Sequence, residues 1–326
     1  MLAFAVRRIA VSIPILLISS FVVFILASLS GNPLNELLFR NPPPPPQVIA
    51  LETERLRLDE PLLERYWLWL TGLFTGDFGP SVQSNLDIGA EVAGRFVITM
   101  RLILVAMLVA LLLAVVIGVI SAVKQYSKTD YTATFLGFLF LAMPSFWLAI
   151  LLKQAGIDFN NAVDEQVIYT IGASSIPAPE GTWDQFVDTA GHMVLPTISL
   201  ALISYAAWSR YQRASMLEVM NSDYVRLARA KGLSRRQVMV RHGLRTALIP
   251  LTTVTALDLA AIISGAVVTE TVFQWRGMGD LLLNAIRTND TYVVMAWLLV
   301  TATVVILFNL IADLLYAVLD PRIRYA

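Results

Sequence analysis

FVITMRLILVAMLVALLLAVVIGVISAV, residues 96–123, is an apolar run with a single charge, Arg101, near its start. A helix rises about 1.5 Å per residue, so about 20 apolar residues cross roughly 30 Å of hydrocarbon. The run is longer than that and lacks the period-two alternation of a barrel strand, so it predicts a membrane-crossing helix. Working outward, residues 9–29, 131–152, 193–208, 246–268 and 292–319 read the same way. The stretch at 193–208 is the shortest and follows the polar pair Gly191-His192. Composition agrees: 57% of the 326 residues are hydrophobic, 15% are charged and mean hydropathy is +0.68. Soluble domains are about 45–50% apolar. The expected fold class is therefore an all-α integral membrane protein with six transmembrane helices.

The first stretch follows Arg7-Arg8 and runs into Ser28-Leu-Ser30-Gly31, which imitates a secretory cleavage site. A cleaved signal has an apolar region of about 7–15 residues, and this one is longer, so it reads as a retained anchor. Loop charges give the orientation, because cytoplasmic loops gather Lys and Arg. One alternate set of loops holds Arg7, Arg8, Lys124, Lys128, nine basic residues from Arg210 to Arg245, Arg322 and Arg324. The other set mixes Arg40, Arg55, Arg57, Arg65 and Arg95 with many acids, and residues 153–190 set Lys153 against six acids. A multi-pass plasma-membrane protein with both termini in the cytoplasm is expected. The pattern divides it into an N-terminal transmembrane helix (1–30), an extracytoplasmic insertion (31–95) and a core of five transmembrane helices (96–326) with a basic loop at 210–245.

Pro42 to Pro46 form a stiff extended spacer in the insertion. Leu51 to Leu73 then reads as an amphipathic helix broken at Pro61, with Tyr66, Trp67, Trp69 and Phe74 grouped as if at a headgroup layer. A small cap on the outer surface is the favoured reading, and a ligand-binding domain the alternative. Residues 153–190 are acidic, with Pro177, Pro179 and Gly181, and read as a partly ordered loop.

The chain has no residues arranged for chemistry of its own. It contains no cysteine, so disulfides and thiolate metal sites are excluded. No Gly-Lys pair occurs, so there is no phosphate-cradling loop. Gly277-Met-Gly279-Asp280 half matches a dinucleotide loop but follows no strand. His192 and His242 lie far apart, on opposite sides of the expected membrane, which argues against a shared metal or a catalytic pair. His242, between Arg241 and Arg245, reads as a neutral interfacial residue. With 24 basic and 24 acidic residues, net charge points to no nucleic acid. No catalytic residue, metal site or cofactor of the chain's own is expected.

The basic loop has local logic. Asn221, Ser222 and Asp223 are N-cap types, Tyr224 to Lys231 supply two helical turns, and Gly232 is a C-cap residue. Ser234 and Gln237 form a capping box for the next helix. Ala228, Ala230 and Gly232 would let the short helix seat closely in a groove, with Arg226, Arg229 and Lys231 pairing acids at its edge. The alternative is ordinary positive-inside residues touching lipid headgroups.

Asp223-Tyr-Val-Arg-Leu-Ala-Arg-Ala-Lys-Gly232, followed by Arg241-His242 and Ala247-Leu-Ile-Pro250, resembles the cytoplasmic loop of dipeptide and oligopeptide ABC-importer permeases of the B type. The resemblance extends to Gly76-Asp77-Phe78-Gly79 with Ser81, His192-Met-Val-Leu-Pro196, Gly265-Ala-Val-Val-Thr-Glu270-Thr-Val-Phe273-Gln-Trp275 and Leu319-Asp320-Pro321-Arg322-Ile-Arg324. It is weak across residues 31–50 and 153–190. It implies the fold of a type I ABC importer permease, with a coupling helix between the fourth and fifth transmembrane helices. In such permeases that helix docks on a cytoplasmic ATPase, and the matching residues here are Asp223, Tyr224, Arg226, Ala228, Arg229, Ala230, Lys231 and Gly232. The implied partners are a second homologous permease, two ATPase domains that bind ATP and Mg2+, and an extracytoplasmic binding protein. The last would dock near an outer gate at Glu270, Phe273, Trp275, Gly277 and Gly279. The sequence departs from the family's Glu-Ala-Ala-x-x-x-Gly signature at Arg226 and Leu227, and has Arg276 where proline is usual.

A transport path needs polar groups facing a cavity, because a charge facing lipid costs several kcal/mol. Asp258 falls mid-span in the fifth stretch, and at about 100° per residue Thr255, Ile262, Gly265 and Thr269 share its face. Asp258 fits a pathway residue, an interhelical bond, or a protonated acid. Arg101 and Asp313 read as snorkelling or interhelical residues, and Pro144 and Pro196 as interruptions of the third and fourth spans. The expected function is the permease subunit of an ATP-driven importer for di- or oligopeptides. A nickel or glutathione permease of the same build is the nearer alternative, and a membrane scaffold or channel the more distant one.

Overall fold

Inside a bilayer no water bonds the backbone, so an apolar chain must satisfy its amides internally, as helices do. The computed structural model describes residues 2–234 and 237–319 and holds helices and no strand among them. Arg235, Arg236 and the tail from Asp320, with Pro321, Arg322 and Arg324, lie outside the described residues, as do the side chains of Arg241, His242 and Gly265. The helices begin with α1 (Leu2–Ser30), α2 (Asn35–Leu38), α3 (Pro46–Arg55), α4 (Leu62–Gly72) and α5 (Ile88–Val123). They continue with α6 (Lys128–Ala142), α7 (Ser145–Val163), α8 (Thr182–Met220) and α9 (Asp223–Ala230). A π-helical segment, Val238–Leu244, leads into α10 (Arg245–Leu257), α11 (Leu259–Phe273), α12 (Met278–Arg287) and α13 (Thr291–Leu319).

By length and composition α1, α5, α8 and α13 can cross a membrane, and α6 with α7 forms one further candidate span bent by 108°. Pro144 sits at that bend as the N-cap of α7. The stretch read as one fifth helix is divided at Asp258 into α10 and α11, of 13 and 15 residues. Each is shorter than the roughly 20 residues that span hydrocarbon.

Other elements differ from expectation for identifiable reasons. α8 starts at Thr182, well before the apolar stretch, and Pro196 lies inside it without interrupting it. α7 reaches Val163, so only residues 164–181 remain as connection, and that connection is fastened. Asn160 accepts from the amides of Val167 and Ile168, Asp188 accepts from the amide and hydroxyl of Ser175, and Tyr169 stacks on His192 at 4.0 Å. These partners satisfy the polar first turns of α8. α8 also runs to Met220, absorbing the first eleven residues of the basic loop. α5 begins at Ile88, inside the expected insertion.

The chain forms two compact units, residues 1–99 with 276–306 and residues 100–275 with 307–326. In the first, Phe24, Trp69, Ile88, Val92, Met278 and Tyr292 belong to one buried core. The break expected at Pro61 is present, with Pro61 the N-cap of α4, but the helix before it, α3, starts at Pro46, inside the expected spacer, and ends at Arg55, and the aromatic group divides. Trp69 is buried and Tyr66 shares a hydrogen bond with Ser20, while Trp67 and Phe74 are exposed. The Gly76 to Ser81 run has a structural meaning here. Gly79 has φ +89°, and a Cβ there would meet the Tyr292 ring at 2.5 Å. Two residues on, the Ser81 hydroxyl donates to buried Asp290 at 2.5 Å, and the Val82 amide adds a bond to the same oxygen at 2.9 Å.

Burial pushes the Asp290 carboxyl above its ordinary range, partly offset by those hydrogen bonds. The folded state therefore keeps the Asp290 proton to higher pH than the unfolded chain does. Its stability is full below the ordinary carboxylate value and falls as pH rises through the raised one. In detergent, the melting temperature of the wild type should fall as pH is raised from about 4, and Asp290→Asn should remove part of that slope. An identical slope in the variant would contradict the assignment.

Candidate functional site

α9 is an amphipathic helix of eight residues, and its sequence explains each end. Ser222 is the extended N-cap residue (ψ 153°), its hydroxyl donating backward to the Val219 carbonyl, and Gly232 has φ +81°. The Ser234–Gln237 capping box forms: the Gln237 amide donates to the Ser234 hydroxyl, and the Ser234 amide donates to the Gln237 side chain. Val225 is 2% exposed and joins a core with Ala122, Met216, Val219, Val238 and Ala247, and Ala228 packs against that core. The opposite side presents Tyr224 and Leu227, which is 57% exposed, together with Asp223, Arg226, Arg229, Ala230, Lys231 and Gly232. Arg226 pairs with Asp223 within the helix. A helix that buries one valine and leaves a tyrosine and a leucine bare is fixed to its own chain and unpartnered outward.

A buried carboxylate on α6 went unmarked in the sequence. Asp130, 3% exposed, accepts both guanidinium bonds of Arg213 at 2.8 Å, the Ser121 hydroxyl and the Tyr126 amide. It thereby joins the end of α5, the following turn, the start of α6 and the lower part of α8.

Asp258 sits at the break between α10 and α11, and its carboxylate accepts the indole N–H of fully buried Trp208 at 2.7 Å. It lines a cavity of about 370 Å³ with Ser145, Leu200, Ser204, Ala207 and Ile262. Of the residues expected on its face, Ile262 shares this cavity. Thr255 and Thr269 are buried and do not line it, and Gly265 is placed only as a backbone position in α11. Thr269 stands eleven residues, about 16 Å of helix, from Asp258.

The segment expected at an outer gate is turned inward. Glu270, Phe273, Trp275, Gly277 and Gly279 are all buried, while Thr271, Gln274 and Arg276 are exposed. Gln274 ends α11 in the left-handed conformation (φ 52°), and the Trp275 amide donates to the Glu270 carbonyl at 2.7 Å. Phe273 packs with Ala149 and Leu195, and its carbonyl accepts from the Gly172 amide. The Arg101 guanidinium lies 5.2 Å from the Trp275 ring and donates to the Ala173 carbonyl, an interhelical role. Among the described residues no group of three or more His, Asp or Glu could hold a metal.

The family described as "Binding-protein-dependent transport system inner membrane component" matches residues 114–325, and its N-terminal counterpart matches residues 1–89. The chain is 39% identical over 324 residues to the oligopeptide transport system permease protein OppB of Mycobacterium tuberculosis, covering 99% of each. It is 38% identical over 338 residues to the dipeptide transport system permease protein DppB of Alkalihalophilus pseudofirmus, covering 100% of each. Against DppB of Escherichia coli the identity is 35% over 341 residues, covering 100% of this chain and 99% of that one. A solved structure of the MetNI methionine ABC transporter, inward facing, matches with TM-score 0.56 and 14% identity, covering 70% of this chain and 96% of that one. That likeness is one of fold.

Removing one partner of a buried ion pair strands the other charge and costs about 3–5 kcal/mol. Arg213→Gln should therefore lower yield and melting temperature in detergent far more than Arg229→Gln, whose side chain is exposed. Equal effects would show that the Asp130 clamp is not what holds these helices.

Proposed function

The chain belongs to the inner-membrane-component family of binding-protein-dependent transport systems, and from that premise we propose that it is the permease subunit of an ATP-driven importer of peptides. Full-length similarity to oligopeptide and dipeptide permeases supports the substrate class. The observation that carries the mechanism is α9, a helix anchored through Val225 and bare at Tyr224 and Leu227.

In this reading α9 seats in a groove on a cytoplasmic ATPase domain, with Arg229 and Lys231 meeting acids at its rim. A second homologous permease completes the translocation path, and an extracytoplasmic binding protein delivers substrate. Both termini and the basic loop face the cytoplasm, in line with the positive-inside pattern. Residues 31–95 form the outer insertion, and residues 96–326 the core. ATP and Mg2+ act on the ATPase domains, and this chain has no reaction of its own. Nucleotide shifts the complex between inward and outward states by binding one of them more tightly, and α9 passes that bias to α8. Glu270, Phe273, Trp275, Gly277 and Gly279 form the packed interior of the outer gate, and exposed Gln274 and Arg276 offer the contact to the binding protein.

Leu227→Asp changes an exposed side chain and should leave melting temperature and membrane insertion unaltered. Uptake of labelled tripeptide by the reconstituted complex should nevertheless fall at least about tenfold, the effect of about 1.4 kcal/mol lost at a contact. Undiminished uptake would remove α9 from the coupling step.

A further inference from the structure

The cavity beside Asp258 continues past it. A second cavity of about 650 Å³ shares Leu141 and Ala207 with the first and is lined onward by Thr134, Phe138, Arg210 and Tyr211. Ser204, Ala207 and Arg210 or Tyr211 recur every three to four residues on α8, so they lie on one helical face. The two cavities therefore form one groove between α6 and α8, leading from the break at Asp258 towards the basic end of α8.

Each part of this groove holds a charge without an opposite one. Among the described residues, Asp258 accepts from the neutral indole of Trp208 and pairs with no cation. The Arg210 guanidinium lies 4.5 Å from the centroid of the Phe138 ring, and among the described residues no carboxylate pairs with it. Arg213, one turn on, is by contrast neutralised by Asp130. Asp258 is half-buried, where an unpaired charge is costly, and Arg210 is exposed at the mouth of the groove, so an occupant carrying the complementary charges relieves the first and pairs with the second. On α8, Ser204 lines the cavity of Asp258 and Arg210 lines the next, and these positions are six residues or about 9 Å of helix apart. At about 3.3–3.6 Å per residue, this is the distance between the ends of an extended peptide of two or three residues.

We propose that this groove binds short peptides by their free ends, the ammonium group at Asp258 and the carboxylate at Arg210. Resting on the importer reading above, this assigns the permease its own selectivity for di- and tripeptides with unblocked termini. Between the charges the walls are Leu141, Ala207 and the Ser204 hydroxyl, and Arg213, which also lines the second cavity, is held by Asp130. The peptide is read by its length and ends.

The chain contains no cysteine, so a single introduced thiol is its one reactive site, read on this subunit after it is separated from its partners. In the complete complex, reconstituted in vesicles, Ser204→Cys should react at least about tenfold faster with a cationic thiosulfonate than with an anionic one, and Thr134→Cys should show the reverse. Asp258→Asn should abolish the first preference and Arg210→Gln the second. A free tripeptide should slow both reactions, and its N-acetylated, C-amidated form should slow neither. No reaction with either reagent, as lipid or a partner subunit covering the groove would give, overturns the proposal. So do equal rates for the two reagents, or equal slowing by free and blocked peptide. ATP-driven tripeptide uptake by the unsubstituted complex separates the levels: with uptake present, those results overturn the groove alone, and without uptake the importer reading falls with it.

Discussion

The lower half of the second unit depends on one buried carboxylate. Asp130 is reached by a hydroxyl from α5, an amide from the turn and a guanidinium from α8, and each of these donors would lose its partner without it. The approach it fixes is close. A Cβ on Gly118 would meet the Ser209 carbonyl and the Gln212 side chain at 2.8 Å, so α5 and α8 pack at a distance that only glycine allows. A buried ion pair adds little net stability compared with an apolar substitute, but it specifies one arrangement, since any slip leaves a charge unpaired. Here it sets the register of α8 against α5 and α6. α8 in turn carries Met216 and Val219, the residues that α9 packs on.

A second constraint governs the middle of that unit. Breaking a helix in hydrocarbon exposes backbone groups, so breaks survive where protein or a cavity receives them. Two such breaks meet at one cavity, the bend after Pro144, which places Ser145 on its wall, and the division at Asp258. Both breaks keep most of their hydrogen bonds. The Pro144 carbonyl accepts from Trp147 and Leu148, and the Asp258 amide and carbonyl bond Val254 and Ile262. The chain turns by 108° at Pro144 at little hydrogen-bond cost, and polar groups arrive where apolar helices would otherwise close up.

What could be read from the sequence follows from how local each signal is. The apolar runs and the ends of α9 are local signals: the runs lie in helices, although the fifth is divided at Asp258, Gly232 is left-handed and the Ser234–Gln237 box forms, whereas the Ser222 hydroxyl makes no cap bond to α9. The polar start of α8 was unreadable, because Asp188 and His192 belong in a helix only once Ser175 and Tyr169 are beside them. The Asp130–Arg213 pair spans 83 positions and leaves no pattern in either neighbourhood. Asp258 was legible as an acid out of place, but the helix break at its own position was not, and of its expected companions Ile262 shares its cavity. The segment from Glu270 to Gly279 was recognisable by its residues, whereas its burial depends on α7, α8 and the 164–181 connection closing over parts of it.

α8 links the two proposed sites and makes them mechanically unequal to their neighbours. From Trp208, which bonds Asp258, to Val219, which packs in the core holding Val225, α8 is unbroken, and Pro196 lies well before this interval. A displacement of α9 is thus carried about 17 Å along a single helix to the groove wall. The other route from α9 passes through the π-helical segment Val238–Leu244, whose wider turns rarely extend far and are found mostly at functional sites. If α9 is the coupling helix proposed above, an unbroken α8 would carry Ser204, Ala207 and Arg210 with it, while the π-helical segment would leave Asp258 behind. The spacing of the two charges would then change, and with it the affinity for a peptide held at both ends as proposed.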